Sequence, residues 1–83
     1  MFLHLGSDTV VALKDVIAIH DYKTFRAVIN RDFIQKKKAA NAIIDISGND
    51  PKSFIVTQYK VYLSAISSMT LKKRADNLIY NEE

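Results

Sequence analysis

Apolar residues in the first quarter of the chain come in short blocks separated by polar pairs. Phe2-Leu3-His4-Leu5 is a mostly apolar run closed by Gly6-Ser7-Asp8, and Val10-Val11-Ala12-Leu13 follows it. This spacing predicts a strand, a turn and a second strand. The turn Gly6-Ser7-Asp8-Thr9 opens on the residue for which a positive φ costs nothing. Lys14-Asp15 interrupts, and Val16-Ile17-Ala18-Ile19 resumes as a third strand. These runs are apolar on consecutive positions, which implies cover on both faces of the sheet. A helix on one side and another subunit on the other would meet that requirement.

At Thr24 the period changes. Phe25, Val28, Ile29 and Phe33 fall at i, i+3, i+4 and i+8, the spacing of one helix face, and predict a helix from Thr24 to Ala40. Its stripe is expected to pack on the sheet beside Ile17, Ile44 and Ile55. Arg26, Arg31, Lys36, Lys37 and Lys38 lie mainly off the stripe, and the three lysines read as a solvated last turn suited to the helix dipole. Strand character returns at Ala42-Ile43-Ile44-Asp45-Ile46. Ser47-Gly48-Asn49-Asp50-Pro51 then forms the strongest loop signal in the chain. Phe54-Ile55-Val56-Thr57 and Lys60-Val61-Tyr62-Leu63 read as a hairpin across Gln58-Tyr59. Leu71, Ala75, Leu78 and Ile79 mark a second, shorter helix with Ser67 or Ser68 as its N-cap. The order is βββ-α-βββ-α. The fold class is α+β, a small, mostly antiparallel sheet with one long helix and one short C-terminal helix, in a single domain over residues 1–83.

Size changes the picture. A chain of 83 residues buries only about 60% of its unfolded surface and is marginal as a monomer. Small domains compensate with disulfides, metals or self-association. There is no cysteine, and His4 and His20 are too few for an all-nitrogen zinc cage. Self-association is the remaining means, so a homo-oligomer is expected. No segment reaches the ~20 apolar residues that span a bilayer, and the opening MFLHLGSD lacks a signal-peptide pattern. A cytoplasmic protein with no membrane partner is the expectation.

The net charge of +3 is unevenly spread. Residues 1–21 hold one base against three acids, residues 22–40 six bases against one acid, and residues 41–83 five of each. Without Glu82 and Glu83 the last third is basic, concentrated in Lys72, Lys73 and Arg74. Such clusters suit polyanions, or form a solvated helix face.

Catalytic chemistry is poorly supplied. There is no thiol nucleophile, and Ser64, Ser67 and Ser68 have no histidine nearby in sequence to serve as base. Gly6 and Gly48 are too few for a phosphate-cradling loop. Asp15, Asp21 and Asp45 sit at strand ends, where aspartate ordinarily satisfies turns. His4 reads as a surface residue and His20 as at most a pH-sensitive contact. Tyr22, Tyr59, Tyr62, Tyr80, Phe25 and Phe54 would suit a stacking platform for single strands, but match no RNA-recognition pattern and more often pack cores or subunit contacts. No enzyme, cofactor or metal is expected.

Three stretches carry a family resemblance. PKSFIVT (Pro51 to Thr57), VYLSAISSMTLKKRA (Val61 to Ala75) and LHLGSDTVVALKDVIAI (Leu3 to Ile19) resemble the small bacterial extracellular-matrix regulators of the RemA and RemB family, more closely its RemB branch. The resemblance implies a regulator of biofilm-matrix genes. In the RemA branch it implies a ring-forming, DNA-binding activator related in fold to LytTR-type domains. DNA contacts there come from arginines on two loops, one after the second strand and one just before the PKSFIVT-like strand. In this chain those positions fall near Lys14 and Asp15, and near Asp50, Pro51 and Lys52; the arginine pair of the second loop is missing.

The resemblance thus implies double-stranded DNA and the chain itself as partners, with a paralogous regulator as a further candidate. Lys14 and Lys52 are the first candidates for phosphate contact, and Lys72, Lys73 and Arg74 the second. Lysine is a point charge, so such contacts position DNA without reading bases. The competing class is a self-assembling scaffold without direct DNA binding, which Asp15 and Asp50 favour.

Overall fold

The computed structural model describes residues 1–29 and 43–80. Strands β1 (Phe2–Gly6) and β2 (Thr9–Ala12) form an antiparallel hairpin. Ser7 and Asp8 occupy its tip with φ of 50° and 58°, the double left-handed turn that matches strand twist. A 3-10 turn, Leu13–Asp15, leads into β3 (Val16–Asp21), and a second, Tyr22–Thr24, leads into α1 (Phe25–Ile29). After β4 (Ile43–Asp45) come β5 (Ser53–Thr57), β6 (Val61–Ser64) and α2 (Ser68–Tyr80). A four-stranded sheet runs in the order β3-β5-β6-β4, antiparallel except for the β4–β6 pair. The α+β class and the strand-helix order are those of the sequence pattern. Of the predicted helix from Thr24 to Ala40, the segment beyond Ile29 lies outside the described residues, with Phe33, Lys36, Lys37 and Lys38.

β5 is buried at all five positions because each face of the sheet carries its own core. On one face Ile55 packs with Leu3, Leu5 and Val11 of the hairpin and Leu71 of α2. On the other, Phe54 and Val56 pack with Val61 and Leu63, under Phe25 and Val28 of α1. The second face, which the apolar runs left for another subunit, is therefore covered from within the chain.

Two core assignments need correction. Ile55 lies on the face opposite α1, because strand residues alternate sides and Phe54 takes the α1 side. Ile17 is 56% exposed: the β3–β5 register shifts between Val16 and Ala18, and Ile17 is the extra, bulged residue. Ile44 is half-buried on β4. On α2, Leu71, Ala75 and Leu78 face the core as the spacing requires, but Ile79 is exposed.

Buried hydroxyls tie the layers together. Ser53 and Ser64, directly paired across β5 and β6, are fully buried. Ser53 Oγ donates to Ile66 O at 2.6 Å, and Ser64 Oγ donates to Leu5 O at 2.7 Å. The second bond fixes the hairpin to the main sheet. Gly6 is needed where the hairpin meets this region: its φ is +95°, and a Cβ there would stand 3.2 Å from Ile66 Cδ1. Ser67 is the N-cap of α2, its Oγ accepting from Thr70 N at 3.1 Å.

Candidate nucleic-acid interface

Lys14 is exposed on the 3-10 turn before β3, and Lys52 is exposed just before β5. Because β3 and β5 are antiparallel, with Val16 opposite Thr57 and Asp21 opposite Ser53, the two lysines stand at opposite ends of the sheet. Ser53 to Thr57 alone spans roughly 14 Å of extended chain. Lys52 has a fixed backbone: its N–H donates to Ser64 O at 2.8 Å and its carbonyl accepts from Tyr22 N at 3.0 Å. Its ammonium lies 3.7 Å from Asp50, the one ion pair among the described residues.

Lys72, Lys73 and Arg74 are all exposed on α2. Consecutive helical residues point about 100° apart, so the three spread charge around the solvent side instead of forming one row. Arg74 leans toward the hairpin, where its Nη1 donates a long 3.4 Å bond to His4 O. The structure thus distributes the five candidates over three places: Lys14 at one end of the sheet, Lys52 at the other, and the basic string on α2.

The strand-end aspartates serve turns. Asp21 Oδ1 accepts from Lys23 N at 2.9 Å, and Asp45 Oδ1 accepts from Ser47 N at 2.8 Å and from Ser47 Oγ. The Ser47 hydroxyl, then the Ser47 amide, hold the Asp45 carboxyl below its ordinary range. Among the described residues no group of histidine and carboxylate side chains is placed to hold a metal. The aromatics divide. Tyr22 stacks on Phe25 and Phe25 meets Phe54 edge-on, with centroids 5.1 and 5.3 Å apart, and the His20 ring lies 5.1 Å from Phe54. Tyr59, by contrast, is 68% exposed.

Two cations escaped the sequence reading as site candidates. Lys23 follows β3 at the Lys52 end, where Tyr22, Lys23 and Lys52 line one shallow depression. Lys60 closes the β5–β6 turn at the Lys14 end, where Gln58 N donates to Asp15 O at 3.0 Å. A predicted hairpin across Gln58-Tyr59 was the signal for Lys60, but only the β3–β5 pairing brings that turn beside Lys14.

A family model described as extracellular matrix regulatory protein A-like matches residues 2–75, a window that contains every candidate cation above. The chain belongs to this RemA-like family. Extracellular matrix regulatory protein B of Bacillus subtilis (strain 168) is 40% identical to it over 75 residues, which cover 90% of each protein. The stretches Leu3 to Ile19, Pro51 to Thr57 and Val61 to Ala75 all fall inside the family match. The chain is therefore a member of a family of extracellular-matrix regulators, close to its B branch. Among the described residues no helix is long and apolar enough to cross a membrane.

Proposed function

We propose that the chain is a cytoplasmic, DNA-binding transcriptional regulator of biofilm-matrix genes that acts as a multivalent homo-oligomer, with a ring as one form of closure. The observation that carries this reading is the family match over residues 2–75 to extracellular-matrix regulators. The exposed cations Lys14, Lys52, Lys72, Lys73 and Arg74 support it by offering phosphate contacts. One subunit with a few surface lysines binds a polyanion feebly. Repeating those lysines in an assembly raises the effective concentration of each further contact and multiplies avidity by about 10²–10⁴. Contacts of this kind favour curved or deformable duplex over any one base sequence.

A self-assembling scaffold that leaves DNA alone is the second reading. The Asp50–Lys52 ion pair and the exposed Phe2, Val10 and Ile17 favour it. Light scattering at micromolar concentration, paired with a gel-shift titration of duplex DNA at low salt, separates the two. A mass several times 9.4 kDa with a shifted duplex supports the regulator. The same mass with no shift supports the scaffold, and a stable monomer refutes the multivalent mechanism.

A further inference from the structure

The structure separates Lys14 from Lys52, so the two ends of the sheet are distinct candidate surfaces for DNA. Each end holds a second lysine, Lys60 beside Lys14 and Lys23 beside Lys52. The ends differ in what surrounds them. Lys52 is drawn to the Asp50 carboxylate at 3.7 Å, and Lys23 follows Asp21, whose carboxylate accepts the Lys23 amide. Among the described residues Lys14, Lys60 and Lys23 have no carboxylate within ion-pair distance, so of these four lysines only Lys52 is engaged in an ion pair.

The turn that carries Lys60 is also held in one shape. Thr57, only 3% exposed, donates from both its N and its Oγ1 to Lys60 O, at 2.9 and 2.8 Å. The same Oγ1 accepts from Lys60 N at 2.9 Å and from Tyr59 N at 3.2 Å. One buried hydroxyl thus clips the whole turn, and Gln58 N ties it to the Lys14 turn through Asp15 O. Beside the clip runs an open groove of about 330 Å³ lined by Val10, Asp15, Thr57, Tyr59, Lys60 and Tyr62. Tyr59 stands at this groove with most of its ring in solvent.

Resting on the DNA-binding reading above, we infer that the end of the sheet formed by Lys14, Tyr59 and Lys60 is the surface that meets duplex DNA. Lys14 and Lys60 contact phosphates, and the Tyr59 hydroxyl donates to a phosphate oxygen while its ring lies against the sugar. Backbone held by Thr57 arrives already ordered, so little freedom is lost when DNA binds. Free ammonium groups, in contrast to Lys52, need not give up an existing partner.

The test uses the full chain and fluorescence anisotropy of a labelled duplex at several salt concentrations. Lys60→Glu and Tyr59→Ala are each expected to weaken binding by about fivefold or more, equivalent to roughly 1 kcal/mol. Lys60→Glu is also expected to flatten the salt slope, because a phosphate contact contributes about −0.9 to it. Lys60→Gln is expected to lie between wild type and Lys60→Glu, with the mass and melting temperature of all three unchanged. Wild-type affinity for both Lys60→Glu and Tyr59→Ala, together with weakened binding for Lys52→Glu, overturns the assignment and moves the face to the opposite end. A wild-type chain that binds no duplex at low salt removes the DNA reading itself, a distinct outcome.

Discussion

Replacing Ser64 by alanine tests how the hairpin is fastened to the main sheet. Ser64 is fully buried on β6; its Oγ donates to Leu5 O at 2.7 Å and accepts from Ile66 N at 3.0 Å. The substitution removes the bond from Ile66 N, worth about 1 kcal/mol net at a partly buried site, and leaves the buried Leu5 carbonyl without its hydroxyl partner in an apolar layer beside Leu3 and Ile55, where an unpaired group costs about 1–3 kcal/mol. Together these give a loss of about 2–4 kcal/mol. For a domain of this size, 1 kcal/mol moves the melting temperature by about 4–8 °C, so Ser64→Ala should melt roughly 8–32 °C below wild type. Ser67→Ala is the control, since it removes an exposed helix cap worth about 1 kcal/mol. Circular dichroism melts of the two variants under identical conditions decide the matter. A Ser64→Ala shift no larger than that of Ser67→Ala would refute the view that this hydroxyl joins the two layers.

Three further outcomes follow from the same structure. Gly6→Ala should cost about 1–2 kcal/mol in chemical denaturation, because its left-handed φ and the nearby Ile66 side chain both oppose a Cβ; an unchanged midpoint would show that the hairpin can rearrange. Phe54→Ala should cost about 3–5 kcal/mol, whereas Ile17→Ala, at the exposed bulge, should stay within about 0.5 kcal/mol; equal losses would contradict the register shift in β3. The Asp45 carboxyl should titrate below its ordinary value in an NMR pH series, and Ser47→Ala should return it toward normal. Since folding lowers this value, Asp45 favours the folded chain above the ordinary carboxylate range, and that contribution is lost as pH falls through the lowered value.

The strand-helix order was legible because turn residues punctuate the chain: Ser7-Asp8, Lys14-Asp15, Ser47 to Pro51 and Gln58-Tyr59 each fall between strands. The assignment of faces was not legible at β5. Phe54, Ile55 and Val56 are all apolar, so a two-residue period cannot say which of them meets α1. The bulge at Ile17 left no trace in an unbroken apolar run, and the strand therefore read as core throughout. Ser53, Thr57 and Ser64 were hidden for the opposite reason: a polar side chain looks like surface until its buried hydrogen bond is seen. For the candidate interface, the family resemblance pointed to Lys14 and Lys52 as loop cations. Their separation follows only from the antiparallel pairing of β3 with β5, and so does the approach of Lys60 to Lys14.

The salt dependence of duplex binding by the wild-type chain tests the central claim most directly. Each neutralised phosphate contributes about −0.9 to the slope of log K against log salt concentration. Lys14 and Lys60 of one subunit would give a slope near −1.8, and an assembly engaging several subunits at once a slope several times steeper. A slope clearly steeper than about −1.8, measured on a species several times the monomer mass, is the predicted result. A flat slope, or no binding at low salt, would contradict a multivalent regulator that holds DNA by its phosphates.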